Sequence, residues 1–275
     1  MDRQMDRPLI VLDTETATCH GPPHLLELGA VRVEGGEIVD HFNQLVRPQV
    51  PIDPDTTAIH GIVDADVAYA PEAREVLDAF REWAGEEWLA AHNARFDAGV
   101  LGFECARAGV APPPAPMLDS LVLARRNLPE APDHKLATLT DLLEVEVDQH
   151  HRALDDAVSC WKVIEACLAR MGEKASAAEL LVQSCRPGRP LTVPAAMPGP
   201  PTRTARRLRP LVAAAREGTQ VILHYGEPSA PRARLEVLPR MLYQHRDRGY
   251  LEAECASSGL LKTYRLDRVH KVEAL

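Results

Sequence analysis

Residues 9–16 read Leu9-Ile-Val-Leu-Asp-Thr-Glu-Thr16, a continuous apolar run that passes without a break into a pair of carboxylates. A short apolar run bounded by polar residues reads as a buried central strand. If that strand continues through the acids, Asp13 and Glu15 share one face and stand about 6–7 Å apart. Two anions so close in a poorly solvated place raise each other's pKa unless cations fill the gap. The alternative is a strand that stops at Leu12, leaving both acids as solvated turn residues.

Working outward, Leu26 to Val33 and Ile38 to Val46 alternate around Gly35-Gly36 as a hairpin would. Pro71 to Trp83 carries Val76, Leu77, Phe80 and Trp83 on one helical face, and Glu87 to Ala91 reads as another buried strand. Helical patterns follow over Ala98 to Ala108, Met117 to Arg126, Leu136 to Leu143 and Leu154 to Arg170. Strands first, then helices with one further strand among them, predict an α/β sandwich around a mixed central sheet. Residues 186–205 hold six prolines and two glycines without an apolar period, which predicts an extended linker. Beyond it, a helix over Leu208 to Glu217 precedes short strands at Val221 to Tyr225, Arg234 to Val237, Tyr250 to Cys255 and Lys262 to Leu266. The chain of 275 residues therefore divides into a domain over 1–175, a linker over 186–205 and a small β-rich domain over 206–275.

The formal charge of −9 conceals two unlike halves. Residues 1–170 hold 14 Lys and Arg against 30 Asp and Glu, a net of −16, while residues 171–275 hold 17 against 10, a net of +7. The acidic half suits cations, and the basic half suits phosphate. The six cysteines never form C-x-x-C and read as reduced thiols, with Cys160 and Cys167 as apolar helix filler. The apolar run near the N-terminus is too short for a signal core or a membrane span, so the expected location is cytoplasmic with no membrane association.

Two more acidic clusters follow the first. His92-Asn-Ala-Arg-Phe-Asp97 follows the strand ending at Ala91 and puts Asp97 at a helix start, where a dipole-favoured helix acid is the plain alternative. His151-Arg-Ala-Leu-Asp-Asp-Ala157 opens the last helix of this half, with an imidazole before the helix and a carboxylate on its first turn. In this order and spacing, the three clusters resemble the motifs of the DEDDh, or DnaQ-like, 3′→5′ exonuclease family, which includes the proofreading exonuclease of bacterial DNA polymerase III. Ile59-His-Gly-Ile62, Leu118-Asp-Ser-Leu121 and Lys135-Leu136 match as well, so the likeness spans about residues 8–170.

The resemblance implies a ribonuclease H-like fold, metal ligation by Asp13, Glu15, Asp97 and Asp156, and His151 as general base; Asp155 and His150 are neighbours outside the pattern. It implies two Mg²⁺ or Mn²⁺ ions and hydrolysis at the 3′ end of single-stranded DNA, or of RNA, releasing nucleoside 5′-monophosphates. Thr14, Thr16, Ala17, His92, Asn93 and Phe96 would shape the terminal-nucleotide pocket. The family often continues the first motif with Thr-Gly, whereas Ala17-Thr-Cys19 stand here. A polymerase partner is possible but not favoured, because a second folded domain follows the first.

Residues 206–275 resemble the WYL domain, a small SH3/Sm-like barrel found in bacterial regulators. The defining triplet reads Gly249-Tyr-Leu251, followed by Tyr264-Arg-Leu-Asp-Arg-Val269. The resemblance implies a nucleic-acid or nucleotide ligand held by Tyr250, Arg265 and Arg268; the alternative is that these arginines are solvated strand residues and the domain serves dimerisation.

Overall fold

The structure is a computed structural model that describes residues 7–145, 151–172, 176–185, 190–201, 205–227, 233–245 and 247–275. His150 and parts of the linker, 186–189 and 202–204, lie outside the described residues. Two compact units divide at Met197/Pro198.

In the first unit, strand β1 (Leu9–Thr16) includes the whole carboxylate motif and does not stop at Leu12. It is followed by β2 (Leu25–Glu34), β3 (Glu37–Leu45), α1 (Pro54–His60), α2 (Asp64–Val67), α3 (Ala73–Ala84), β4 (Trp88–Ala91) and α4 (Arg95–Ala108). Then come β5 (Pro116–Asp119), α5 (Ser120–Asn127), α6 (Leu136–Leu142), α7 (Ala153–Met171), α8 (Ala177–Ser184), β6 (Leu191–Thr192) and α9 (Val193–Ala196). The sheet order is β3-β2-β1-β4-β5-β6, with β1, β4 and β5 parallel and the remaining pairs antiparallel. The mixed sheet is as expected.

Alternation along β1 builds two cores. Ile10 and Leu12 pack with Val76, Phe80 and Leu101 of α3 and α4, whereas Leu9 and Val11 pack with Leu123, Trp161 and Ile164 of α5 and α7. Each of these β1 side chains is fully buried, so the strand is covered on both faces and reads as an unbroken apolar run.

Two expectations need correction. The helix drawn over Met117 to Arg126 is a strand followed by a helix: Met117 and Leu118 pair with Leu89 and Ala90, and the Asp119 side chain accepts from Leu121 N at 3.1 Å to cap α5. A four-residue buried strand abutting a helix gives no period by which to separate them. The extended linker is also shorter than drawn. Leu191 and Thr192 add an edge strand to β5, where missing donors are tolerated, and Pro194 falls in the first turn of α9. Val193 is fully buried, and a Cβ on Gly102 would lie 3.0 Å from Met197 N, so this segment packs closely onto α4.

The second unit holds α10 (Arg209–Glu217), β7 (Val221–Tyr225), β8 (Ala233–His245), β9 (Arg248–Cys255), β10 (Leu261–Arg265) and β11 (Val269–Ala274). All pairings are antiparallel, in the order β10-β9-β8-β7-β11. The outer strands β10 and β11 do not pair with each other among the described residues. Leu211 and Ala214 of α10 pack with Val237, Leu251 and Val269. Among the described residues, no helix is long and apolar enough to cross a membrane.

Candidate active site

The two-faced strand explains why the carboxylates meet. Asp13 and Glu15 continue the face of β1 that α7 covers, and Asp156 sits in the first turn of α7. Thr14 continues the opposite face, covered by α4, and its hydroxyl donates to Asp97 Oδ1 at 2.9 Å in the first turn of that helix. Parallel pairing of Val11 with Ala90 brings the end of β4, and therefore the start of α4, to the level of Asp13. One acid from each flanking layer thus reaches the same strand end.

Ligating atoms of Glu15, His151 and Asp156 lie within 4.8 Å of one another. Asp97 is 1% exposed, and its Oδ2 has no hydrogen-bond partner among the described residues. Burial, then Asp97, Asp156, Glu15 and Glu27, push the Asp13 carboxyl well above the usual range. Glu15 is pushed to about 8 by burial and then by Asp156, Glu27 and Asp97. Asp97 rises to about 7 through burial, against the lowering effect of the Thr14 hydrogen bond. A buried, unsatisfied carboxylate oxygen among mutually repelling acids, with oxygen donors dominating, fits a hard divalent cation.

The same shifts set a pH dependence for the metal-free chain. Glu15 goes from an ordinary 4.5 to about 8 and Asp97 from 3.8 to about 7, so the folded state holds protons that the unfolded chain has released. Stability contributed by these groups is present in acid and lost as pH rises through the folded values. In chelator, the melting temperature should fall between about pH 5 and pH 8, and less so in Glu15→Gln. Thermal melts across that range check it; a flat or rising wild-type profile contradicts the shared-repulsion site.

Several residues that serve this arrangement escaped the sequence reading. Glu27 stands opposite Glu15 on β2, is 1% exposed, and accepts from Arg152 Nη2 at 2.7 Å and Nε at 3.1 Å and from Ala153 N at 3.1 Å. One carboxylate therefore fixes the fork of Arg152 and an otherwise orphaned donor at the start of α7. His151, at φ +61°, is held beside that anchor. Gly29 pairs with Asp13, and a Cβ there would fall 2.2 Å from Ala153 C, so the α7 backbone rests directly on the strand. A charged residue at an inward position of β2 was a legible signal; the glycine was not.

A family model described as exonuclease matches residues 10–164, and one described as WYL domain matches residues 206–274. The chain belongs to the exonuclease family. DNA polymerase III PolC-type of Bacillus cereus is 37% identical over 166 residues, which cover 60% of this chain but only 12% of that protein. Exonuclease X, solved in complex with 5′ overhanging duplex DNA, matches with a TM-score of 0.53 at 29% identity, over 64% of this chain and 99% of its own. The nuclease domain of 3′hExo, a DEDDh family member bound to rAMP, shares the fold, with a TM-score of 0.54 at 18% identity over 67% of this chain and 98% of its own. Members of the DEDDh exonuclease family are metal-dependent.

Within the exonuclease domain, the residues expected around a terminal nucleotide divide into two groups. Thr14, Thr16 and Ala17 are buried: Thr14 bonds Asp97, Thr16 Oγ1 donates to Thr18 O at 3.2 Å, and Ala17 is bonded through its backbone to His24 and Asp53. His92 commits both ring nitrogens, to Ser120 Oγ at 2.8 Å and to His134 O at 2.9 Å. Asn93, at φ +62°, is fixed by its amide to Asp119 Oδ1 at 3.1 Å. Phe96, at 49% exposed, and Asn93 are open to solvent. His60, from the matching Ile59-His-Gly-Ile62 stretch, is buried with Nδ1 accepting from Ile62 N at 3.0 Å.

In the WYL domain, Arg265 is paired across strands with Tyr250, and Tyr250 with Tyr243; the two tyrosine rings stack at 5.5 Å. Both expected arginines are ion-paired inside the domain, Arg265 with Asp267 and Arg268 with Glu227. They are not bare cations.

Proposed function

We propose that this chain is a two-metal-ion 3′→5′ exonuclease that removes nucleoside 5′-monophosphates from single-stranded nucleic acid, DNA in preference to RNA. The convergence of Glu15, His151 and Asp156 within 4.8 Å, beside the unsatisfied Oδ2 of Asp97, carries this reading. Asp13, Glu15, Asp97 and Asp156 would hold Mg²⁺ or Mn²⁺, which when bound would supply charge to acidify water and to stabilise the negative charge that develops in phosphodiester hydrolysis. His151 accepts the proton of the attacking water as the scissile phosphodiester opens. Its place on the loop before α7, next to the Glu27–Arg152 fork, keeps a ring nitrogen within 4.8 Å of carboxylate oxygens of Glu15 and Asp156. The exposed Phe96 ring offers a face on which the terminal base stacks. The DNA-bound relative at 29% identity supports DNA as substrate.

Digestion of matched 3′- and 5′-labelled single-stranded DNA, duplex DNA and RNA, with Mg²⁺, Mn²⁺ or chelator, tests the proposal. Metal-dependent release of mononucleotides from the 3′ end is the expected result; release from the 5′ end or in chelator overturns it. His151→Ala should slow turnover by roughly 10²–10⁴, the scale of a lost general base, with metal affinity nearly unchanged. Calorimetric metal titration beside kcat checks that separation, and equal losses in both would make His151 a ligand only.

We further propose that the WYL domain recruits nucleic acid or a nucleotide through Tyr250, whose ring is backed by the buried Tyr243, and Arg265, with the Arg268 pair opening to meet phosphate. The excess positive charge of this half favours such a ligand over a purely structural role. Anisotropy of a labelled oligonucleotide on the full chain in chelator should show binding that weakens with salt and with Arg265→Ala; salt-independent binding goes against it.

A further inference from the structure

The loop that leaves the catalytic strand gathers a second, chemically different set of ligands. Cys19 Sγ stands 3.0 Å from His20 Nδ1 and 3.1 Å from Asp53 Oδ2, and the three ligating atoms lie within 4.8 Å of one another. Cys19 and His20 are exposed and Asp53 is half-buried, so a cation reaches the group from solvent. We infer that Cys19, His20 and Asp53 form a binding site for a borderline transition cation of the Zn²⁺ class, separate from the all-carboxylate centre that takes hard ions.

The framework around the cluster does not depend on it. Ala17 N donates to His24 O at 2.8 Å and Thr18 Oγ1 to Pro22 O at 3.1 Å, which close the loop. Asp53 N donates to Ala17 O at 2.8 Å and ties the two segments together. Asp53 divides its carboxylate: Oδ1 accepts from Asp55 N at 3.1 Å to cap α1, which leaves Oδ2 aimed at the thiol. A ligand oriented by a second hydrogen bond is the usual arrangement in metal sites. The other described cysteines are buried or half-buried, whereas Cys19 is exposed with its sulfur turned toward an imidazole and a carboxylate.

Thiolate, imidazole and carboxylate together suit Zn²⁺, which takes bonds of about 2.3 Å to sulfur and about 2.0–2.2 Å to nitrogen and oxygen. At tetrahedral angles such bonds set the sulfur about 3.5 Å from the nitrogen and oxygen ligands, about half an ångström beyond the 3.0 Å and 3.1 Å contacts that Cys19 makes here. Binding exchanges one proton: the Cys19 thiol releases H⁺ to solvent as its sulfur bonds the cation, so the net change is one cation gained and one proton lost. A fourth position stays open to water.

Titration of the full chain with Co²⁺ as probe, followed by the near-ultraviolet thiolate-to-cobalt charge-transfer band, tests the site. Wild type should develop the band at one equivalent, lose it to Zn²⁺, and keep it in excess Mg²⁺. Cys19→Ser should abolish the band, and His20→Ala and Asp53→Asn should each weaken binding by about tenfold or more. Asn at position 53 retains the α1 cap, so that variant stays folded, and circular dichroism verifies it. Absence of the band in wild type, its survival in Cys19→Ser, or indifference to both His20→Ala and Asp53→Asn overturns the assignment. Digestion assays in Mg²⁺ report the carboxylate centre independently, so failure there leaves the cobalt result standing by itself.

Discussion

Asp13→Asn and Asp156→Asn should reduce exonuclease turnover to the level seen in chelator, while the metal-free protein should melt at the same or a higher temperature than wild type. Activity is expected to be lost because, in the proposed mechanism, each acid belongs to the set that would hold the cations. Stability is kept because these carboxylates repel one another: Asp13 is pushed up by burial and then by Asp97, Asp156, Glu15 and Glu27. Neutralising one member removes that repulsion and leaves an amide of the same shape. The gain should be larger near pH 8 than near pH 5, since Glu15 becomes charged only toward about 8 and Asp97 toward about 7. Paired measurements of mononucleotide release at saturating Mg²⁺ and of melting in chelator decide it. A variant that keeps more than a few per cent of the wild-type rate, or that melts well below wild type without metal, removes these acids from the centre.

Gly29→Ala has the second-largest expected effect, although position 29 carries no chemistry. Its Cβ would lie 2.2 Å from Ala153 C and Leu154 N and 2.6 Å from Ala153 O, all backbone atoms that cannot rotate away. Either β2 or the first turn of α7 must shift. The same turn carries Asp156 and is anchored by Glu27 through Ala153 N, so its shift moves Asp156 and the adjacent His151 together relative to Asp13 and Glu15. A displacement of about 1 Å at a reacting centre costs on the order of 10²-fold in rate, and overpacking costs about 1–3 kcal/mol. Gly99→Ala is the control: nothing lies within 4 Å of a Cβ there, so the helix should gain up to about 1 kcal/mol. Kinetics and melts of the two variants side by side check this; a Gly29→Ala enzyme within a few-fold of wild type shows that α7 is held elsewhere.

Asp13 and Glu15 were legible in the sequence because a strand returns side chains to one face every two residues, and the run from Leu9 to Leu12 announces a buried strand. Asp97 and Asp156 were legible through motif spacing, each falling in the first turn of a helix whose apolar pattern is plain. The mixed sheet followed from the order of these patterns. Short elements were not legible: β5 and β6 span four and two residues, too few to display a period, and they exist because neighbouring strands offer unpaired donors and acceptors. The Glu27–Arg152 fork joins residues 125 apart in the chain, and the Gly29 contact is a matter of backbone distance, so neither leaves a local trace. The sequence by itself, through the resemblance of its three motifs, named the acids and the imidazole proposed for the site. Only the tertiary structure decided how α4 and α7, packed on opposite faces of β1, bring Asp97 and Asp156 to one strand end, because that convergence depends on register and on the closeness of two backbones.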